Sequence, residues 1–239
     1  LVHLQVVGSL VVEEVLEEEA QVATGKKTII FDLDGTLIDS LEDIAVCMNK
    51  VLEELNLPIH KIDDYKYFVG SGVDVLVNNA LKDSSQEIKK EVLKRFKKEY
   101  DQQLHAKTKP YEGIYQLLDE LKKLDYNLAV LSNKPHDFTI AYVKHLFKDY
   151  NFKEIHGQKE EIPRKPHPIG AINIATALNV PCDEIFFVGD TMVDMQTAKS
   201  ANMKAIGVLW GFRDEEELLT NGADFIVKHP LDILEIINN

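Results

Sequence analysis

Asp32-Leu33-Asp34-Gly35-Thr36 follows the short apolar run Thr28–Phe31, so two carboxylates stand at the end of what reads as a buried strand. Charges in that position are costly unless a cation or hydrogen-bond donors compensate them. A second acidic pair, Asp190 and Asp194 in Gly189-Asp190-Thr191-Met192-Val193-Asp194, follows the run Glu184–Val188. Their spacing puts both on one face of a helix starting near Thr191, although acidic residues also suit a helix N-terminus for structural reasons alone. Donors come from two other stretches. Ser132-Asn133-Lys134-Pro135 carries a hydroxyl and an amide able to bind oxyanion oxygens, with helix capping as the alternative use of Ser132. Arg164-Lys165-Pro166-His167-Pro168 holds Lys165 on a backbone fixed by two prolines, which makes it a positioned ammonium rather than an ordinary solvated loop lysine. Hard oxygen ligands with few histidines nearby suit Mg²⁺, not zinc or copper.

Bringing these stretches to one rim requires elements that end there. After Lys109-Pro110 the sequence alternates strands (127–131, 152–155, 184–188, 204–208) with helices (114–124, 137–147, 168–178, 192–201). Such alternation predicts a parallel sheet covered by helices on both faces, with ligands beyond the carboxyl ends of the strands where strand order reverses. Residues 42–108 read as helical throughout. One helix starts at Ser40, where Ser40-x-x-Asp43 resembles a capping box. Another opens with Ser84-x-x-Glu87 and aligns Ile88, Val92, Phe96, Tyr100 and Leu104 in an apolar stripe. The expected organisation is therefore an α/β core of residues 26–41 and 109–239 with a helical cap, 42–108, inserted after its first strand.

The chain has 239 residues, 45% hydrophobic and 28% charged, enough to bury a full core. Its 27 Lys and Arg against 40 Asp and Glu give a net charge of −13, a field that opposes nucleic acid or an anionic membrane surface as the main partner. A small anion stays admissible, because such a field is screened beyond roughly 8 Å and a local cation can govern a pocket. No apolar run approaches the ~20 residues that cross a bilayer. Cys47 and Cys182 lie far apart without metal spacing, which fits a reducing, cytoplasmic setting. Residues 1–25 are apolar then acidic, with no Lys or Arg before Lys26, unlike a targeting peptide. They read as a peripheral appendage without catalytic role.

The ordered motifs FDLDGTLIDS, LSNK, RKPHP and VGDTMVDMQTA, spanning roughly residue 27 to the C-terminus, resemble the haloacid dehalogenase superfamily of phosphohydrolases. FVGSGVDVLVNNAL and KAIGVLWGFR are similar to its bacterial phosphoglycolate phosphatase branch. The resemblance implies a doubly wound, Rossmann-type parallel sheet and Mg²⁺-dependent hydrolysis of a small phosphorylated metabolite. It makes Asp32 the nucleophile that becomes an aspartyl phosphate, and Asp34 the acid and then the base. Asp34 is expected to hold a proton near neutral pH through neighbouring negative charge and limited solvent access. Mg²⁺ is expected on the Asp32 carboxylate, the Asp34 carbonyl and Asp190, with Asp194 helping directly or through water. Ser132, Asn133 and Lys165 are expected to grip the phosphoryl oxygens, and Gly70 and Gly72 to bring a cap loop into the site.

The same motifs admit a β-phosphoglucomutase-type mutase or an inorganic pyrophosphatase. Val73 stands where such mutases usually carry an arginine, and Asn78-Asn79 stand where an arginine often precedes Ala-Leu in the phosphatase branch. A receiver-type signalling domain also accepts phosphate on aspartate but is shorter and lacks the helical insertion. Cys47, Cys182 and Trp210 read as packing residues, and His136, His145 and His167 show no metal spacing. Gly70-Ser71-Gly72 follows no strand and lacks the third glycine of a dinucleotide fingerprint. Monomer and homodimer are both open.

Overall fold

The computed structural model describes residues 26–103 and 106–238. In chain order, β1 (Thr28–Phe31) and the short β2 (Ile38–Asp39) lead into α1 (Leu41–Glu54), α2 (Tyr65–Phe68), α3 (Val73–Ala80) and α4 (Gln86–Gln102). The chain then passes through β3 (Lys109–Pro110), α5 (Ile114–Lys123), β4 (Asn127–Pro135), α6 (His136–Leu146) and β5 (Phe152–Gln158). It continues with α7 (Ile169–Leu178), β6 (Ile185–Gly189), α8 (Met192–Ser200), β7 (Lys204–Val208), α9 (Glu215–Thr220), β8 (Phe225–Val227) and α10 (Asp232–Ile237).

Six strands form one parallel sheet in the order β5-β4-β1-β6-β7-β8. β1 is buried along its whole length, which explains its unbroken apolar sequence. Its side chains alternate between two cores: Ile29 and Phe31 pack with Leu117, Leu118, Tyr142 and Val208, whereas Ile30 packs with Leu131, Ile174, Phe187 and Met195. Strand order reverses at β1, which pairs with β4 on one side and β6 on the other, so a crevice opens beyond the ends of these three strands. The antiparallel pair β2–β3, with Ile38 opposite Pro110 and Asp39 opposite Lys109, closes the stem of the helical insertion.

Helix starts differ from the sequence expectation in an informative way. Ser40 precedes α1 but makes no capping bond, because its hydroxyl donates instead to Asp34 Oδ1 at 2.5 Å. The α4 cap falls one residue later than expected, on Ser85, whose Oγ accepts from the Ile88 amide at 3.3 Å. Val92, Phe96 and Tyr100 are buried as the stripe requires, whereas Ile88 at its start is 39% exposed. Leu104 and residues 1–25 lie outside the described residues. β8, α9 and α10 extend the alternation beyond the expected elements. Among the described residues no helix is long and apolar enough to cross a membrane.

Candidate active site

The turn after β1 and the turn after β6 are built against each other. The Asp32 amide donates to the Val188 carbonyl at 2.9 Å, which continues the β1–β6 pairing past the strand end. Asp32, Asp190 and Asp194, all buried, thereby offer carboxylate oxygens within 4.8 Å of one another. Gly35, at φ +87°, lets the first turn fold back: a Cβ there would sit 2.3 Å from Asp190 Oδ2. Thr36 Oγ1 donates to Asp190 Oδ1 at 3.1 Å and the Phe212 amide to its Oδ2 at 2.8 Å.

Asp194 lies at the N-terminus of α8. Its Oδ2 accepts from the Asp190 amide, the Thr191 amide and Thr191 Oγ1, each at 3.1 Å. Its Oδ1 is 2.6 Å from Lys165 Nζ, which also lies 2.8 Å from Asp32 Oδ1. Asp194 therefore braces its helix start, as the structural reading of an acid at that position expects, and also holds Lys165.

Electrostatics follow from this crowding. Burial pushes the Asp32 carboxyl up to about 7; the Asp194 charge adds to the shift and the Lys165 ammonium opposes it. Burial, then the Asp194 and Asp32 charges, raise Asp190 well above the usual carboxylate range. Burial works against the Lys165 ammonium, yet the Asp194 and Asp32 charges outweigh it and hold its pKa above the ordinary value. Of the three buried carboxylates only Asp32 and Asp194 are paired with the lysine, and the remaining negative charge with clustered hard oxygen donors fits a divalent cation such as Mg²⁺.

Asp34 has different neighbours from those expected. Instead of negative charge alone, the Lys134 ammonium lies 3.0 and 3.2 Å from its two oxygens, with the Ser40 hydroxyl on Oδ1. Lys134 Nζ also donates to Tyr100 Oη of α4 at 2.8 Å and lies over the Tyr100 and Tyr142 rings at 4.7 and 5.0 Å. Sequence reading missed Lys134 and Ser40 as partners of Asp34, and Tyr100 as the partner of Lys134. The available signal was a lysine inside a strand buried on both faces, a position that demands a counter-charge.

Ser132 and Asn133 stand at the end of β4, and the structure separates their parts. Ser132 Oγ accepts from the Lys134 amide at 3.1 Å, which leaves its hydroxyl hydrogen for another acceptor. Asn133 is sequence-assigned to the phosphoryl oxygens, but here both amide hydrogens are engaged. Nδ2 donates to the Lys165 carbonyl at 3.0 Å and the Gly70 carbonyl at 3.1 Å, while Oδ1 accepts from the Lys165 amide at 2.9 Å. In this conformation Asn133 braces the Lys165 loop and the cap loop.

A cavity of about 50 Å³ lies between the cap and the strand ends. Asp32, Asp34, Ser132 and Lys134 line it from the core; Val69, Gly70, Gly72, Leu76, Phe96 and Tyr100 line it from the cap. Gly70 and Gly72 adopt φ +119° and +102°, conformations that favour glycine and bring the loop backbone close to the acids. Asn78 is exposed and does not line the cavity.

A sequence profile described as haloacid dehalogenase-like hydrolase matches residues 29–208. A phosphoglycolate phosphatase of Aquifex aeolicus (strain VF5) is 33% identical over 213 residues, 89% of this chain and 97% of that protein. One of Colwellia psychrerythraea (strain 34H) is 31% identical over 200 residues, 81% of this chain and 88% of that protein. A structure from Lactobacillus delbrueckii subsp. bulgaricus, solved as a candidate phosphoglycolate phosphatase, is similar with a TM-score of 0.83 at 33% identity, covering 90% of this chain and 99% of that one.

Proposed function

This chain belongs to the haloacid dehalogenase-like hydrolase family, and we propose that it hydrolyses a small phosphate monoester through Asp32, with 2-phosphoglycolate as the substrate best supported. In this reading residues 42–108 are the cap and residues 26–41 and 109–239 the catalytic core. The observation that carries the proposal is Asp32 itself: a buried carboxylate on the cavity wall, held by Lys165 at 2.8 Å, with Asp34 lining the same cavity.

An Asp32 oxygen attacks phosphorus, forming a new P–O bond as the bond to the leaving alkoxide breaks. Asp34 gives a proton to that alkoxide and later takes one from the water that hydrolyses the aspartyl phosphate. Lys165 and the Ser132 hydroxyl counter charge on the phosphoryl oxygens, while Asn133 keeps the Lys165 backbone in register. Asp32, Asp190 and the Asp34 carbonyl, with Asp194 helping directly or through water, would hold Mg²⁺, which would neutralise the repulsion between carboxylate and phosphate dianion.

Two features favour a short, anionic leaving group. The cavity is small, and Lys134 is the one cationic side chain among its described lining residues. A two-carbon leaving group ending in a carboxylate would meet that ammonium, a role for which the sequence of α3 offers no arginine. Family names of the relatives point the same way. Phosphate release from 2-phosphoglycolate, sugar phosphates, nucleotides and pyrophosphate, with Mg²⁺ and with a chelator, tests the proposal. The expected result is Mg²⁺-dependent release with 2-phosphoglycolate preferred; preference for pyrophosphate, or no release from any of them, overturns it.

A further inference from the structure

The segment Leu209-Trp210-Gly211-Phe212-Arg213 after β7 touches both halves of the site. Trp210 Nε1 donates to the Thr36 carbonyl at 2.9 Å, and the Phe212 amide holds Asp190. Gly211 lies so close to the first turn that a Cβ would fall 2.3 Å from the Gly35 carbonyl oxygen and from Asp190 Cβ. The next residue leaves the core. The Arg213 guanidinium donates to the Lys66 carbonyl and, at 3.4 Å, to the Val69 carbonyl, and it lies 5.2 Å from the centre of the Tyr67 ring.

Those carbonyls belong to the end of α2, where a helix leaves its last C=O groups without intrahelical partners. A guanidinium satisfies them, and its charge suits the negative end of the helix dipole. Immediately after Val69 comes the loop that lines the cavity with Gly70 and Gly72. Two further core contacts hold that loop: Asn133 Nδ2 on the Gly70 carbonyl, and Arg164 Nη1 on Asp74 Oδ1 at 2.5 Å. The Arg164–Asp74 pair is 38% and 52% exposed, so it contributes little. Arg213 is only 13% exposed, backed by Glu217 Oε2 at 3.4 Å, and is the better-sheltered grip.

We infer that Arg213 is a positioning and specificity-determining residue: it fastens the cap loop 69–72 over the acids from the same segment that holds Asp190. This rests on the phosphate monoester reading above. It predicts that discrimination in favour of compact substrates depends on a residue that touches neither substrate nor acids. Releasing the grip widens the cavity mouth, which penalises a compact substrate enclosed by the loop more than a bulky aryl phosphate.

Arg213→Gln and Arg164→Gln in the full chain test this by two readouts. In hydrogen exchange, Arg213→Gln is expected to speed exchange of amides in residues 66–74 about tenfold with β1 unchanged, and Arg164→Gln to do so far less. In kinetics, the ratio of kcat/KM for 2-phosphoglycolate to that for p-nitrophenyl phosphate is expected to fall about tenfold in Arg213→Gln. Unchanged exchange in 66–74, or an equal loss on both substrates, overturns the inference. If the unaltered protein hydrolyses neither ester, the functional reading fails, while the exchange result still decides the role of Arg213.

Discussion

The rim of the core and the wall of the cap face each other across one cavity, and they are fixed by different physics. At the rim, every acid is fastened by backbone or buried side-chain donors: Asp190 by Thr36 and Phe212, Asp194 by its own helix start, Asp32 by Lys165. The wall opposite is largely apolar, with Val69, Leu76 and Phe96, and its polar hold on the core comes through few contacts, among them Tyr100 to Lys134 and Gly70 to Asn133. A site that must stabilise developing charge needs donors that cannot reorient. A wall that selects and excludes water needs shape, and it must be able to part from its partner. Changes at the rim should therefore abolish chemistry, and changes at the wall should redistribute it among substrates.

The largest effect is expected where the rim loses its cation. Lys165→Met leaves buried carboxylates facing each other without compensation, which should cost about 3–5 kcal/mol of stability, read by denaturant unfolding, and reduce phosphate release to background. Full activity in that variant would break the division between rim and wall. A smaller, substrate-dependent effect is expected at the core lysine that meets the wall through Tyr100: Lys134→Met should lower kcat/KM for 2-phosphoglycolate about 10–100-fold and lower that for p-nitrophenyl phosphate less. An identical loss on both would move Lys134 from selection to chemistry.

The smallest effect reads the rim's charge directly. Asp32 is raised to about 7 by burial and by Asp194, and Asp190 is raised in the same direction. A carboxyl whose folded pKa exceeds its unfolded value stabilises the protein fully below the unfolded pKa and loses that contribution as pH rises through the folded one. In chelator, the thermal midpoint should therefore fall between pH 5 and pH 8, by about 2–4 °C for each kcal/mol lost. Mg²⁺ should reduce the fall. A midpoint that rises over this range in chelator would contradict the charge balance described for the rim.

Much of the rim is legible in the sequence, because carboxylates directly after apolar strands are anomalous wherever they occur. The positions of Asp32 and Asp190 follow from that anomaly, and the pairing of β1 with β6 brings them together. Ser40 was less legible: a capping hydroxyl and one turned toward a neighbouring acid have the same sequence signature, and Asp34 decides between them. Arg213 left no signature, since its partners are main-chain carbonyls that any residue could supply. β8, α9 and α10 span three, six and six residues, too short to establish a period.

The central claim is that Asp32 carries the phosphoryl group. Mixing the protein with 2-phosphoglycolate and Mg²⁺, quenching within the first turnover, and reducing with borohydride should convert an acyl phosphate at residue 32 to the corresponding alcohol. Peptide mass spectrometry is expected to find that change at Asp32, dependent on substrate and absent in Asp32→Asn. Turnover with an unmodified Asp32 peptide, or reduction at a different residue, would contradict the account.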